Sequence, residues 1–269
     1  MTRLALGAKK PARLMPLVGF LKLIGMTFLV VLGTGTFWFI HAHTGQTSDT
    51  QQAFTAYVGM SNAQATATAN IILSDPLSQN IHNWPVGTHG SNSYVFQNGA
   101  YDITNNATQQ VAPAILADVP KEIFNQPFVY TLSMREIKGD DTSINNSFGM
   151  IVRFSQQYKN GRMITTFYSF EVVNRSGGEY QFWKYDDSQG TGVNPWTKIW
   201  HLAFGHEFYQ GHGLNTCKIF VIGSTYTFVI NGKKVGITQD SSVASGVVGM
   251  LVNLKDTEIA FSNLVLTHN

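Results

Sequence analysis

From Ile71 to Leu266 the chain runs in short apolar alternations broken by Gly, Asn, Asp and Ser, and no long segment keeps a helical period. A period of two sends successive side chains to opposite faces, so such segments hide their apolar half only by pairing into sheets. Asn98-Gly99 between Ser93–Gln97 and Ala100–Thr104 marks a tight hairpin, as does Asn231-Gly232 between Tyr226–Ile230 and Lys234–Thr238. Both central positions of such turns favour φ > 0. Further strands are predicted at Phe128–Ile137, Phe148–Phe154, Thr165–Val173, Glu179–Tyr185, Lys198–Ala203, Thr216–Ile222, Gly246–Asn253 and Glu258–Leu266. Val111–Ala117 is the single helical candidate, and Pro113 breaks it. A dozen short strands without crossover helices predict an all-β antiparallel sandwich or barrel.

The N-terminus is of another kind. Leu23 to Ile40 is an uncharged run of 18 residues. A helix of that length nearly crosses a hydrocarbon core of about 30 Å. Arg3, Lys9, Lys10, Arg13 and Lys22 precede the run, and the first acid after it is Asp49. The positive-inside rule then places the N-terminus in the cytoplasm and exports the remainder of the chain. The expected order is a basic cytoplasmic segment over 1–22, a transmembrane signal-anchor helix over 23–41, a flexible linker over 42–70 and a sandwich domain over 71–269. Membrane lipid is one expected partner. A cleaved signal peptide is the alternative, although the run is long for one and Ile40-His41-Ala42-His43 is a poor cleavage site. The domain is extracytoplasmic under either reading.

Charge excludes one function class. Removing the five early cations from the 18 basic residues leaves 13 against 16 acidic ones, so the rest of the chain lacks the basic footprint of a nucleic-acid binder. The single cysteine, Cys217, permits no internal disulfide and no Cys/His zinc cluster; it reads as a small buried hydrophobe.

Several stretches resemble concanavalin A-like lectin/glucanase domains, a group with laminin G-like jelly rolls among its relatives. They are Asp75-Pro76-Leu77-Ser78 with Trp84, Phe96-Gln97-Asn98-Gly99-Ala100-Tyr101, Glu179 to Tyr185, Phe228 to Gly236, and Ile259 to Leu264. The resemblance spans about residues 71–267. It implies a two-sheet antiparallel jelly-roll sandwich with one concave sheet, and sugar binding or sugar hydrolysis as common uses. Glucanases of this group carry a Glu-x-Asp-x-x-Glu strand, which this chain lacks, so enzymatic activity is the less favoured expectation.

Alternation sorts the candidate site. Phe148, Met150, Val152 and Phe154 share one face, leaving Ile151 and Arg153 on the other. Tyr168, Phe170 and Val172 point inward, and Phe167, Ser169 and Glu171 outward. Tyr180 and Phe182 point inward, and Gln181, Trp183 and Tyr185 outward. Neighbouring strands would then gather Arg153, Glu171, Gln181, Trp183 and Tyr185 on one exposed face, an aromatic platform with planar polar groups suited to sugar hydroxyls. A solvated face with an Arg153–Glu171 ion pair is the plainer alternative. Trp196 and Trp200, four residues apart, share one strand face; they would form a stacking ledge at a cleft rim, or one of them would simply be core. His201, His206 and His212 read as ordinary histidines. No cofactor is expected, although Asp140-Asp141 and Asp186-Asp187 could offer oxygen ligands to calcium. Asn106, Asn145 and Asn174 open glycosylation tripeptides. The expected function is a membrane-anchored module for carbohydrate or another cell-surface polymer. Its alternatives are a sugar hydrolase and a purely structural or adhesion domain.

Overall fold

The computed structural model describes residues 71–108 and 111–269, so the expected anchor and linker lie outside the described residues. No helix among the described residues is long and apolar enough to cross a membrane. The strands are β1 (Ile71–Asp75), β2 (Gly87–His89), β3 (Asn92–Gln97), β4 (Ala100–Asn105), β5 (Ala112–Ile115), β6 (Phe128–Lys138), β7 (Ser147–Lys159) and β8 (Arg162–Val173). They continue with β9 (Glu179–Asp186), β10 (Trp196–Ala203), β11 (Asn215–Ile222), β12 (Thr225–Ile230), β13 (Lys233–Gln239), β14 (Val247–Val252) and β15 (Thr257–His268). A short 3-10 turn at Lys121–Asn125 completes the described elements.

The strands form two antiparallel sheets. Nine make one sheet in the order β13-β12-β11-β6-β15-β4-β3-β2, with β1 also paired to β15. Six make the other in the order β10-β9-β8-β7-β14-β5. The inward side chains of both sheets fuse into one apolar core. At its centre Phe170 of β8 stacks on Phe228 of β12, with ring centroids 4.5 Å apart and planes within 3°. Tyr168, Phe182 and Tyr226 pack around that pair. Rings of this size dominate core energetics, each burying about 150–250 Å². Together these features make the fold an all-β jelly-roll sandwich.

Both Asn-Gly hairpins form as expected. Asn98 and Gly99 adopt φ 51° and 76°, and Asn231 and Gly232 adopt 49° and 82°. Asn160-Gly161 turns β7 into β8 in the same way, with φ 55° and 79°. The opening motif has a structural use: buried Asp75 accepts from Leu77 N at 2.8 Å and from Trp84 Nε1 at 2.9 Å.

Three expectations need correction. Val111–Ala117 holds strand β5, which pairs with β14 through Pro113 opposite Leu251. An edge strand tolerates proline because one side of its ladder needs no donor, and β5 ends its sheet. The other two corrections are β-bulges. A bulge between Val152 and Ser155 places Arg153 at φ 57°. The extra residue reverses the faces beyond it. Phe154 therefore joins Ile151 outside the sandwich, and Arg153 turns inward. A bulge between Lys198 and Trp200 does the same to β10. Ile199 and Trp200 both pack against the main core, whereas Trp196 lies outside.

Candidate functional site

The outer face of the six-stranded sheet carries a second, smaller apolar cluster. Ile151, Phe167 and Leu251 are its buried members, with Phe154, Tyr185 and Trp196 packed against them. Phe167 stacks on Tyr185 at 4.9 Å and 11°, and Trp196 stands edge-on to both rings. Trp183 is also edge-on to Trp196, at 6.3 Å and 86°. A continuous aromatic wall therefore forms on a sheet face turned away from the core.

Beside this wall lies a cleft of about 680 Å³. Its floor comes from β7, β8 and β9 as Ser147, Glu171 and Gln181, and its aromatic side from Trp183 and Trp196. Loops bring Asn145, Arg175, Gly178, Asn194 and Asn253 to its rim. The register explains the convergence, since Glu171 lies opposite Gln181 and Ser169 opposite Trp183.

Glu171 is only 2% exposed. Its Oε1 accepts from Ser169 Oγ at 2.6 Å, and its Oε2 from Ser147 Oγ at 2.7 Å. Burial raises its pKa above the usual carboxylate value, opposed by those two hydroxyls and by the nearby Lys198 charge. Glu179, at the start of β9, lines the same cleft. It accepts from Lys198 Nζ at 3.1 Å, from the Gln181 amide, and pairs with His201 Nδ1 at 2.9 Å. Partial burial pushes the Glu179 carboxyl up, but these donors outweigh it and hold it below its ordinary value. Lys198 also lies 4.8 Å over the Trp183 ring, a cation–π contact. Trp183 Nε1 donates to Gln181 Oε1 at 2.6 Å, fixing the amide that faces the cleft.

Of the residues singled out from sequence, Glu171, Gln181, Trp183 and Trp196 line one cleft, and Tyr185 supports its aromatic wall. Arg153 does not join them. It donates from Nη1 to Val243 O at 2.8 Å and from Nη2 to Gly223 O, and it lies 5.3 Å from the Tyr226 ring on the inner side. The Arg153–Glu171 ion pair is therefore not made. Trp200 is also elsewhere, tilted against Phe228 at 5.1 Å and packed on the main core, so of the two readings for this pair the core one holds for Trp200 and no Trp196–Trp200 ledge forms.

Sequence reasoning passed over Glu179 and Lys198, although alternation marks both: Glu179 continues the outward series of Gln181, Trp183 and Tyr185, and Lys198 shares a face with Trp196. Asn253 comes from a distant segment, and Ser147 and Arg175, at the ends of the site strands, carry no local signal. His212 is taken by the Glu136 carbonyl through Nδ1 at 2.9 Å. No group of three or more His, Cys, Asp or Glu side chains among the described residues could hold a metal ion. Asp140 accepts from Thr142 N at 2.9 Å and Asp186 from Ser188 N at 2.9 Å as turn-forming contacts, and Asp187 accepts from Thr165 N of β8 at 2.9 Å.

No protein-family model and no curated protein matches the sequence. Solved structures do match the fold. A carbohydrate-binding module of the CBM66 type from Bacillus subtilis aligns with a TM-score of 0.50 and 13% identity over 70% of this chain and 97% of that one. The carbohydrate recognition domain of Emp47p aligns with a TM-score of 0.50 and 14% identity over 76% of this chain and 99% of that one. At such identities the likeness is one of fold.

Proposed function

We propose that this chain is a carbohydrate-binding module whose ligand lies in the cleft beside Trp183 and Trp196. The observation that carries the reading is the pairing of this aromatic wall with fixed planar polar groups, Gln181 and Glu179, on a sheet face outside the core. Sugar rings present apolar C–H faces and polar rims, so a binding site needs an apolar platform and oriented hydrogen-bond groups together. The similarity of fold to two carbohydrate-binding domains supports the reading without locating their ligands here. A glycan array probed with the full chain, followed by titration of the best ligand, tests it. Binding that fails in Trp183→Ala while the fold persists is the expected result; absence of binding to any glycan overturns the reading.

A second reading, sugar hydrolysis, is favoured by one observation. Glu171 and Glu179 occupy diagonal positions on neighbouring strands, with backbone positions on the order of 7–8 Å apart, and their surroundings push them in opposite directions. Carboxylate pairs divided in this way serve as acid and base in glycosidases. Against it, both carboxylates are engaged by side chains within the protein. Release of reducing ends by wild type, abolished in Glu171→Gln, would establish hydrolysis.

The 23–41 segment is proposed to anchor the domain on the outer side of a membrane, on the evidence of its charge asymmetry. Protease added to intact cells or spheroplasts should remove the C-terminal domain. Protection until lysis would overturn that placement.

A further inference from the structure

The cleft holds one cation whose side chain is in no ion pair among the described residues. Arg175 sits in the β8–β9 loop, half-buried in the cleft wall. Its backbone is firmly held: its N–H donates to Val173 O at 3.0 Å, and its carbonyl accepts from Gly178 N at 2.9 Å and Gln210 Nε2 at 3.1 Å. The preceding Asn174 is fully buried and bonded to Glu136 and Gly211. Yet the Arg175 guanidinium has no hydrogen bond or ion pair among the described residues.

The contrast with neighbouring charges is informative. Arg153 and Arg162 direct their guanidinium groups to backbone carbonyls, and Arg135 lies near the Asp102 carboxylate. Inside the cleft, Glu179 already receives Lys198, His201 and Gln181, and both oxygens of Glu171 are taken by serines. Neither carboxylate is committed to Arg175. A guanidinium presents a rigid fork of donors that matches a planar carboxylate or a sulfate in two parallel hydrogen bonds. A pinned backbone lowers the entropy lost when such a contact forms.

We propose that the glycan taken by this cleft is acidic, and that Arg175 receives its carboxylate or sulfate group while the sugar ring lies against the tryptophan wall. The proposal rests on the carbohydrate-binding reading and adds the ligand's charge to it. An oligouronate, a sulfated oligosaccharide and a neutral oligosaccharide of matched length should be titrated against the full chain and against Arg175→Gln and Arg175→Lys. The wild type is expected to prefer at least one acidic ligand over the neutral one by about tenfold or more, and that preference should weaken as salt is raised. The preference should collapse towards unity in Arg175→Gln and return in part in Arg175→Lys. Preference for the uronate alone assigns a carboxylate, and preference for the sulfated sugar alone a sulfate. Equal affinities in the wild type, or a preference that survives in Arg175→Gln, would overturn the acidic-ligand proposal and leave the sugar-binding reading intact. Failure of all three ligands, with a blank glycan array, would overturn both.

Discussion

The Lys198 ammonium bridges two parts of the cleft, 4.8 Å from the centre of the Trp183 ring and 3.1 Å from a Glu179 carboxylate oxygen. The contact joins the aromatic wall to the polar one and covers part of the ring that would meet a sugar. Exposed ion pairs are individually weak, about 0–1 kcal/mol, so a ligand can displace the lysine at small cost.

Trp183→Ala is expected to leave the sandwich folded, because the ring packs outside the main core. Its contacts with Trp196 and Gln181 suggest a loss of about 1 kcal/mol and a melting temperature lower by a few degrees. Affinity for glycan should fall about tenfold or more, corresponding to roughly 1.4 kcal/mol. Thermal melts and titrations on the same preparation check both. Collapse of the domain would show that the ring is structural.

Arg153→Met should behave in the opposite way. The guanidinium ties the β7 bulge to Val243 and Gly223, in the loops after β13 and β11. Hydrogen bonds from a charged donor are worth about 1.5–3 kcal/mol each, and losing this pair leaves two loop carbonyls without their partner. A destabilisation of about 2–4 kcal/mol is expected, or a melting temperature lower on the order of 10 °C, with glycan affinity retained. Loss of binding at unchanged stability would return Arg153 to the site.

The contrast between these two residues shows how far the sequence was legible. Glu171, Gln181 and Trp183 lie on strands whose alternation is unbroken through the site, so period two placed them correctly. Arg153 and Trp200 each fall at a bulge, where one added residue reverses the face. Nothing local announces either event: the residue at φ 57° is an arginine where a glycine would have been the warning. Val111–Ala117 was ambiguous for a related reason, since only its pairing with β14, far along the chain, makes it a strand. Arg175 was illegible because its importance lies in the absence of a partner among the described residues.

Glycine substitutions separate two kinds of requirement. At Gly232, φ is 82° and an added Cβ would meet nothing within 4 Å, so Gly232→Val strains only the backbone, by about 1–3 kcal/mol. At Gly149 an added Cβ would lie 2.0 Å from the backbone oxygen of Phe170. Gly149→Ala must therefore push β7 and β8 apart, and it is expected to cost more than Gly232→Val despite the smaller side chain. Denaturant midpoints for the two variants decide the order; equal costs would mean that the β7–β8 pair yields easily.

The protonation of Glu171 can be read from stability. Burial holds its proton in the folded state above the ordinary 4.5, against the opposing pull of Ser169, Ser147 and Lys198. A carboxyl raised in this way binds more protons folded than unfolded, so its contribution is fully present below the unfolded value and is lost as pH rises through the folded one. Glu171→Gln removes the titration and keeps the volume. The stability of wild type relative to Glu171→Gln should therefore be greatest at about pH 4 and decline towards neutral pH. Glu179 titrates in the opposite sense, being held below its ordinary value, but it is present in both proteins and largely cancels in the difference. Urea unfolding of both proteins at several pH values measures the trend. A difference that is flat, or that grows with pH, would mean that Glu171 is not raised, and that the cleft floor carries a full negative charge which an acidic glycan would have to meet.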